Sequence, residues 1–214
     1  MVKGIIIGVV VGLVAVLVAV LVAVALGVAI FAGRDAEQRE QPGASEVSDV
    51  SIEGAPLPPF EGQDPDPAME ANAPAFAATT FDGTEVSVLP GDGTAKVIGF
   101  YAHWCSHCQR ELPRLAGWLA GNRLPAGVEV IAVSTAVDPG APNYPPSAWF
   151  SREQWPAVVV RDSADDEIGE AYGLTGFPYT VGVDATGRVV ARVAGELNDE
   201  AWEFLIDYVA PDAG

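Results

Sequence analysis

The chain has 214 residues, half of them hydrophobic, with 11 Lys and Arg against 29 Asp and Glu, for a net charge of −18. That length leaves room for one ordinary domain with appendages. The acidic excess reads chiefly as a solvated face, and it excludes nucleic acid and anionic membrane surfaces as docking partners, since both would be repelled.

Residues 1–3 form a short tail. From Gly4 to Gly33 no charged or strongly polar side chain occurs, and at about 1.5 Å per residue this run exceeds a hydrocarbon core of about 30 Å. Residues 4–33 are therefore expected to form a transmembrane anchor helix. A cleaved signal peptide fits less well, because its apolar region is about 7–15 residues and the small-residue cleavage pattern is poor around Phe31-Ala32-Gly33. Lys3 on one side and Arg34 and Arg39 on the other give no clear orientation by charge. Gly4, Gly8 and Gly12, continued by Ala15, Ala19, Ala23 and Gly27, present small residues every fourth position, a face through which two such helices could pair into a homodimer.

Residues 34–68 read as an acidic, proline-rich linker. Arg34 to Pro67 holds six prolines, nine acids and one aromatic, Phe60. Such a stretch is expected to bury too little surface to fold and to act as a tether.

From Met69 to Gly214 the pattern becomes globular. Phe76 to Thr80 and Glu85 to Val88 flank the turn dipeptide Asp82-Gly83 and predict a hairpin. Lys96 to Tyr101 predicts a short buried strand, and Cys108, Leu112, Leu115 and Leu119 recur at helical spacing behind it. Val128 to Ser134 predicts a second strand, Ser147 to Trp155 a short helix and Ala157 to Val160 another apolar run. Ala164, Ile168, Ala171 and Tyr172 predict a helix capped by Ser163 and stopped at Gly173. Tyr179 to Val183 and Arg188 to Val193 enclose a second turn, Asp184-Ala185-Thr186-Gly187. A last helix begins near Asn198, buries Ala201, Leu205 and Val209, and ends before Pro211. Strands alternating with helices in this order predict an α/β sandwich whose sheet is covered by helices.

Every cysteine and histidine lies in His103-Trp104-Cys105-Ser106-His107-Cys108. Two thiols three positions apart, with no other cysteine to pair with, describe a local redox pair or a metal clip. Cys105 is expected at a helix N-terminus, where free N–H groups and the helix dipole stabilise a thiolate, so it is the candidate nucleophile. Cys108, one turn inward, is the candidate resolving thiol. A protonated His107 beside them would favour the thiolate further and would make activity pH-dependent near pH 6–7, around the ordinary imidazole pKa of about 6.5. A purely structural bridge is disfavoured, because so short a loop gains little chain-entropy stabilisation. His103 reads equally well as an exposed loop residue.

Trp104-Cys105-Ser106-His107-Cys108 after a buried strand, Pro113 in the following helix and Gly176-Phe177-Pro178 before a later strand resemble the thioredoxin fold. More closely, Ala73-Pro74-Ala75-Phe76, Phe81-Asp82-Gly83-Thr84-Glu85-Val86, Cys108 to Leu115, Trp155-Pro156 and Asp184 to Val189 resemble, in order and spacing, the TlpA/ResA-like membrane-anchored thiol–disulfide oxidoreductases. The resemblance runs from about Ala73 to Val209. It implies a central mixed sheet flanked by helices with an N-terminal β-hairpin. It also implies Cys105 as attacking and Cys108 as resolving cysteine of one redox-active disulfide, Glu111 as a catalytic acid that holds or relays the Cys108 proton, and Pro178 as a cis-proline that exposes the Phe177 backbone to substrate. Pro113 would kink the helix. Trp104 would pack beside the disulfide as a lid, with Ser106 and His107 tuning it.

Two departures stand out. Gly99 lies where thioredoxins carry a buried acid, and Ser106-His107 replaces the proline-containing dipeptide usual in reducing members. A histidine before the second cysteine is the DsbA pattern, in which a stabilised thiolate makes the pair more oxidising. The resemblance thus implies an extracytoplasmic, single-pass, membrane-anchored enzyme with protein thiol or disulfide substrates, a membrane electron donor or acceptor, and no cofactor beyond its own disulfide. The favoured direction is reduction, as in cytochrome c maturation or disulfide repair. A DsbA-like oxidant of secreted proteins is the alternative, and a copper- or zinc-binding delivery module using Cys105, Cys108 and the histidines is a second, weakened by having only two sulfurs. Peroxidase chemistry is not expected, because the cysteine context lacks the Pro and Thr of peroxiredoxins.

Overall fold

A computed structural model describes residues 45–210. The expected membrane anchor, with its helix-pairing face, lies outside the described residues. Among those described, no helix is long and apolar enough to cross a membrane.

The described chain runs β1 (Ser51–Glu53), β2 (Ala75–Thr79), β3 (Glu85–Val88), β4 (Ala95–Tyr101), α1 (Ser106–Gly121), β5 (Val128–Ser134), α2 (Pro146–Arg152), β6 (Val158–Arg161), α3 (Glu167–Ala171), β7 (Tyr179–Val183), β8 (Val189–Ala194) and α4 (Asp199–Val209). Five strands form a mixed sheet in the order β6-β5-β4-β7-β8. β4, β5 and β6 are parallel, while β7 runs antiparallel to both β4 and β8.

Strand periodicity divides the core between the two faces of this sheet. Ala95, Val97, Val128 and Val130 point to one face and pack with Leu115 of α1 and Trp202, Leu205 and Val209 of α4. Ile98, Phe100, Ile131 and Val133 point to the other and meet Ile168, Ala171 and Tyr172 at α3 and the inner side of the β2–β3 hairpin. All seven residues of β4 are buried. Such a strand reads as a continuous apolar run because both of its faces are covered. Lys96 is the exception that proves its environment: its ammonium reaches the rim and donates to the Asp92 carboxylate at 2.7 Å.

The segment 45–68, expected to be part of a tether, instead folds onto the domain. β1 pairs antiparallel with β2, so the expected N-terminal hairpin is a three-stranded sheet in the order β1-β2-β3. Leu57 and Ala68 are buried in the core. The Leu57 N–H donates to the Ala171 carbonyl at 2.8 Å, and the Phe60 N–H to that of Gly173 at 2.9 Å. Gly173 has φ +73°, and a Cβ there would lie 2.4 Å from the Pro58 carbonyl oxygen, so only glycine permits this approach. Arg192 on β8 closes the segment. Its guanidinium, fully buried, forks onto both carboxylate oxygens of Asp66, donates to the Pro58 carbonyl at 2.7 Å and stacks over Phe60. The compositional argument fails here because the few apolar residues of the segment are put to use: Leu57 and Ala68 enter the core and Val50, Ile52 and Phe60 pack against it. Backbone hydrogen bonds and the buried Asp66–Arg192 ion pair fasten the rest.

A second difference concerns α3. Its amides are met by Asp162 rather than by Ser163 alone: the Asp162 carboxylate accepts from the N–H groups of Ser163, Ile168 and Gly169, while the Ser163 hydroxyl accepts from that of Glu167. The last helix begins where expected, and the Asn198 side chain caps it by accepting from the Ala201 N–H at 2.8 Å. Trp202, absent from the expected buried set, is fully buried on α4, whereas Ala201 is only half-buried.

Asp66 is held below the usual carboxylate range by its hydrogen bonds to Arg192, against the opposing effect of its burial. Its pairing therefore stabilises the fold above the unfolded carboxylate pKa and is lost as pH falls through the lower folded value. Asp66→Ala leaves Arg192 buried without its counter-charge and is expected to cost on the order of 3 kcal/mol at neutral pH. Urea unfolding of both proteins at pH 7 and again at pH 3 checks this, with the gap narrowing at the lower pH.

Candidate active site

The central strand β4 leaves the sheet at Tyr101 and turns through Ala102-His103-Trp104 into α1. Cys105 is the N-cap of that helix, with extended backbone and no side-chain cap. Its own N–H donates to the Ala102 carbonyl, and its carbonyl receives the Gln109 N–H, each at 3.0 Å. The two cysteines are free thiols. Cys105 keeps 8% of its surface exposed and Cys108 none. The Cys105 thiol donates to the Phe177 carbonyl at 3.7 Å, across from the loop that enters β7. The Phe177–Pro178 peptide bond is cis, and Pro178 is buried.

Trp104 is 39% exposed. Its indole N–H donates to the Ala136 carbonyl at 2.7 Å, and its ring meets Phe177 edge to face at 5.7 Å. Trp104 and Phe177 thus flank Cys105 at the surface. Ser106 is exposed and makes no contact that bears on the sulfurs.

Behind the thiols the side chains are buried. Burial pushes the Cys108 thiol well up, with Cys105 and Glu111 adding to the effect. Glu111 is fully buried, one helical turn after Cys108. Its Oε1 accepts the Leu197 N–H at 2.6 Å, and its Oε2 has no protein partner. Burial pushes its carboxyl up to about 7, opposed by the Leu197 amide and by Arg114. A carboxyl poised near neutrality beside a thiol that resists ionisation is suited to general acid–base work. Tyr101 lies in the same cluster, its phenol pushed well up by burial. Its ring explains Gly99: a Cβ at that position would stand 2.7 Å from the tip of the Tyr101 ring.

Both histidines have partners other than the sulfurs. His107 turns outward, its side chain 58% exposed, and its Nδ1 lies 2.6 Å from Glu196 Oε1. Arg110 donates to that same carboxylate through Nε at 3.1 Å and through Nη2 at an ion-pairing distance. Arg110 first, then His107, hold Glu196 below the usual carboxylate range. The expected placement of His107 directly against the thiols is not what the structure shows. The His107 Nδ1 meets the Glu196 carboxylate at 2.6 Å and the Arg110 Nη2 at 2.7 Å instead of the sulfurs.

His103 is not an exposed loop residue. It is 1% exposed, with Nδ1 2.7 Å from the Pro142 carbonyl and Nε2 accepting the Asp138 N–H at 3.2 Å. Because a carbonyl can only accept, Nδ1 carries the proton and the ring is neutral. Gln109 and Asn143 both donate to the His103 carbonyl, at 3.0 and 3.3 Å. His103 therefore pins the loop 136–145 beside the cysteines, and neither ring nitrogen is free for a metal. Sequence reasoning missed this role, together with Glu196 and the Leu197 amide, all of which depend on contacts between segments far apart in the chain.

These features meet a clear family. The AhpC/TSA family model matches residues 69–192. The chain belongs to that family. The thiol:disulfide interchange protein HelX of Rhodobacter capsulatus is 30% identical over 118 residues, which cover 54% of this chain and 61% of HelX. The thiol–disulfide oxidoreductase ResA of Geobacillus thermodenitrificans is 26% identical over 146 residues, 67% of this chain and 79% of ResA. Among solved structures, StoA from Bacillus subtilis superposes with a TM-score of 0.53 at 19% identity, covering 65% of this chain and 98% of StoA. The fold is thus the thioredoxin-like α/β fold, and the chain's relatives place it among the thiol–disulfide oxidoreductases of the TlpA/ResA type.

Glu111 supplies a pH test. Its folded pKa of about 7 lies above its ordinary 4.5, so the folded chain holds a proton that the unfolded chain releases between those values, and stability falls as pH rises through that window. Glu111→Gln is expected to match the parent near pH 4.5 and to exceed it by about 3 kcal/mol above pH 7. Denaturation midpoints of the reduced proteins across pH 4.5–8 check the divergence.

Proposed function

We propose that this chain catalyses dithiol–disulfide exchange on protein substrates through Cys105 and Cys108, outside the cytoplasm, and that it works in the reducing direction. The observation that carries this reading is the asymmetry of the pair. Cys105 sits at a helix N-terminus and keeps 8% of its surface exposed, while Cys108 keeps none and lies one turn before Glu111, whose carboxyl burial pushes up to about 7.

In the proposed cycle the Cys105 thiolate attacks one sulfur of a substrate disulfide, forming a mixed disulfide and expelling a substrate thiolate. Glu111 takes the Cys108 proton, and the Cys108 sulfur attacks Cys105 Sγ. That closes the Cys105–Cys108 disulfide and expels the second substrate thiolate. Two electrons pass to the substrate, and the protons of the two enzyme thiols end on the two substrate sulfurs. No group beyond the two cysteines is required. The oxidised pair must then be reduced again by an electron donor, which for an anchored enzyme is a membrane partner. Trp104 and Phe177 offer aromatic surface beside Cys105, and the Phe177 carbonyl already faces its thiol. A bound polypeptide would lie against these groups.

Direction follows from what is stabilised. An oxidant owes its potential to a stabilised thiolate in the reduced form. Here His107, the side chain that would stabilise the Cys105 thiolate, is engaged by Glu196 instead of the sulfurs, which supports the reducing direction. The uncharged run Gly4 to Gly33 supports the membrane anchor. The resemblance to the TlpA/ResA-like branch supports cytochrome c maturation or disulfide repair as the process served.

Equilibrating the full chain against thiol buffers is expected to give a reduction potential nearer to thioredoxin's, about −270 mV, than to DsbA's, about −120 mV. A value at the DsbA end would mean that Ser106-His107 makes an oxidant after all. Cys105→Ser is expected to abolish exchange, and Cys108→Ser to accumulate a mixed disulfide on Cys105 that non-reducing gels resolve.

A further inference from the structure

The active-site helix reaches outward as well as inward. His107, Arg110, Glu111 and Arg114 recur at helical spacing on α1, and all four contact the short loop Gly195–Asn198 or the first residue of α4. His107 and Arg110 hold the Glu196 carboxylate. Glu111 Oε1 accepts the Leu197 N–H at 2.6 Å. Arg114 donates to the Leu197 carbonyl and to the Asp199 carboxylate. Glu196 and Leu197 are neighbours, so a single peptide unit links an exposed ion pair to the hydrogen bond on a buried carboxyl.

We propose that Glu196 is a positioning residue for Glu111: clamped by His107 and Arg110, it keeps the Leu197 N–H aimed at Glu111 Oε1, and so conditions the carboxyl that takes up and returns the Cys108 proton. This rests on the reading of Glu111 as the proton acceptor for Cys108.

The physical basis is directional. A hydrogen bond from a backbone amide to a carboxylate favours the ionised form, and it does so only while the donor is held in line. Glu111 Oε2 has no protein partner, so the Leu197 amide is its one hydrogen-bond donor among the described residues. Other groups face it as well: Arg114 from α1 favours its ionised form, Glu196 by its charge favours the protonated form, and the Cys108 thiol and the Tyr101 phenol of β4 lie close enough to feel its charge.

Glu196 therefore acts on Glu111 with two opposite signs. Its charge raises the proton affinity of Glu111, and its clamp on the loop lowers it. Two substitutions separate them. Glu196→Gln removes the charge and keeps an oxygen for Arg110 and His107, whereas Glu196→Ala removes both charge and clamp. If charge alone mattered, both variants would give Glu111 the same midpoint. With the clamp, the Ala variant titrates higher than the Gln variant by about half a pH unit, roughly a threefold difference in proton affinity.

The measurement is a pH titration of the glutamate side-chain carboxyl ¹³C signals in the reduced, detergent-solubilised full chain, with Glu111 assigned by its loss in Glu111→Gln. The pH profile of disulfide exchange is followed in parallel and is expected to shift in the same order. Coincident midpoints in the two variants overturn the clamp. Separate midpoints with an unmoved exchange profile overturn its link to the reaction. The titration needs no turnover, so a parent chain that failed the exchange assay would sink the functional reading while the clamp was still decided by the carboxyl signal.

Discussion

Everything at the site depends on the burial of β4. It lies at the centre of the sheet, bonded to β5 on one side and β7 on the other, with all seven residues shielded from water. A strand pinned on both edges can deliver the residue that follows it to only one place. The turn after Tyr101 is short, so Cys105 arrives at the N-terminus of α1 with little freedom. β7, the antiparallel neighbour, begins immediately after Pro178, which brings the Phe177 carbonyl to the Cys105 thiol. Two segments more than seventy positions apart meet at the sulfur because their strands are adjacent.

The same packing that positions the thiols makes their surroundings costly for charge. Taking a carboxyl or a thiolate out of water without a partner carries a penalty of several kcal/mol. Cys108 and Glu111 both answer this by favouring their protonated forms, and they do so side by side. Burial raises the Cys108 thiol much further than the Glu111 carboxyl, so of the two it is Glu111 that can carry a charge near neutral pH. Arg114 and the Leu197 amide keep Glu111 from being raised further. The result is a buried thiol and a buried carboxyl on successive turns of α1, with one backbone donor on the carboxyl.

Local pattern made much of this legible, and long-range contact the rest. The cysteine spacing, the buried strand before it and the periodic face of α1 are properties of a dozen consecutive residues, and they locate Cys105 and Cys108 without a structure; Glu111 is implied only by the resemblance to the TlpA/ResA-like branch. The two Asp-Gly and Thr-Gly turns likewise mark their hairpins. The segment 45–68 is different. Its composition is that of a tether, and what orders it is the Asp66–Arg192 ion pair and the approach of Pro58 to Gly173, whose partners lie more than a hundred residues away. His103 is a second case. A lone histidine before the cysteines carries no sign of whether its ring will find Pro142 and Asp138, because those contacts exist only once the loop 136–145 has folded back over it. Glu196 gives no signal either, being one acid among many.

The scarcity of cations gives the final constraint. With so few Lys and Arg against so many acids, several arginines nevertheless grip backbone, and Arg114 and Arg192 do so while also holding a carboxylate. Arg114 donates to the Leu197 carbonyl, Arg161 to that of Ser45, Arg188 to that of Glu70 and Arg192 to that of Pro58. A guanidinium with five donors can hold a carbonyl and a carboxylate together, which a lysine ammonium does less well. In this chain arginine thus adds polar fastening to the 45–68 strap, the β2–β3 sheet and the loop before α4. The acidic excess is left at the surface, where it keeps the domain away from anionic neighbours. Lys96, Arg161 and Arg192 are the buried Lys and Arg residues among those described, and around α1 the arginines Arg110 and Arg114 reach the loop that touches Glu111.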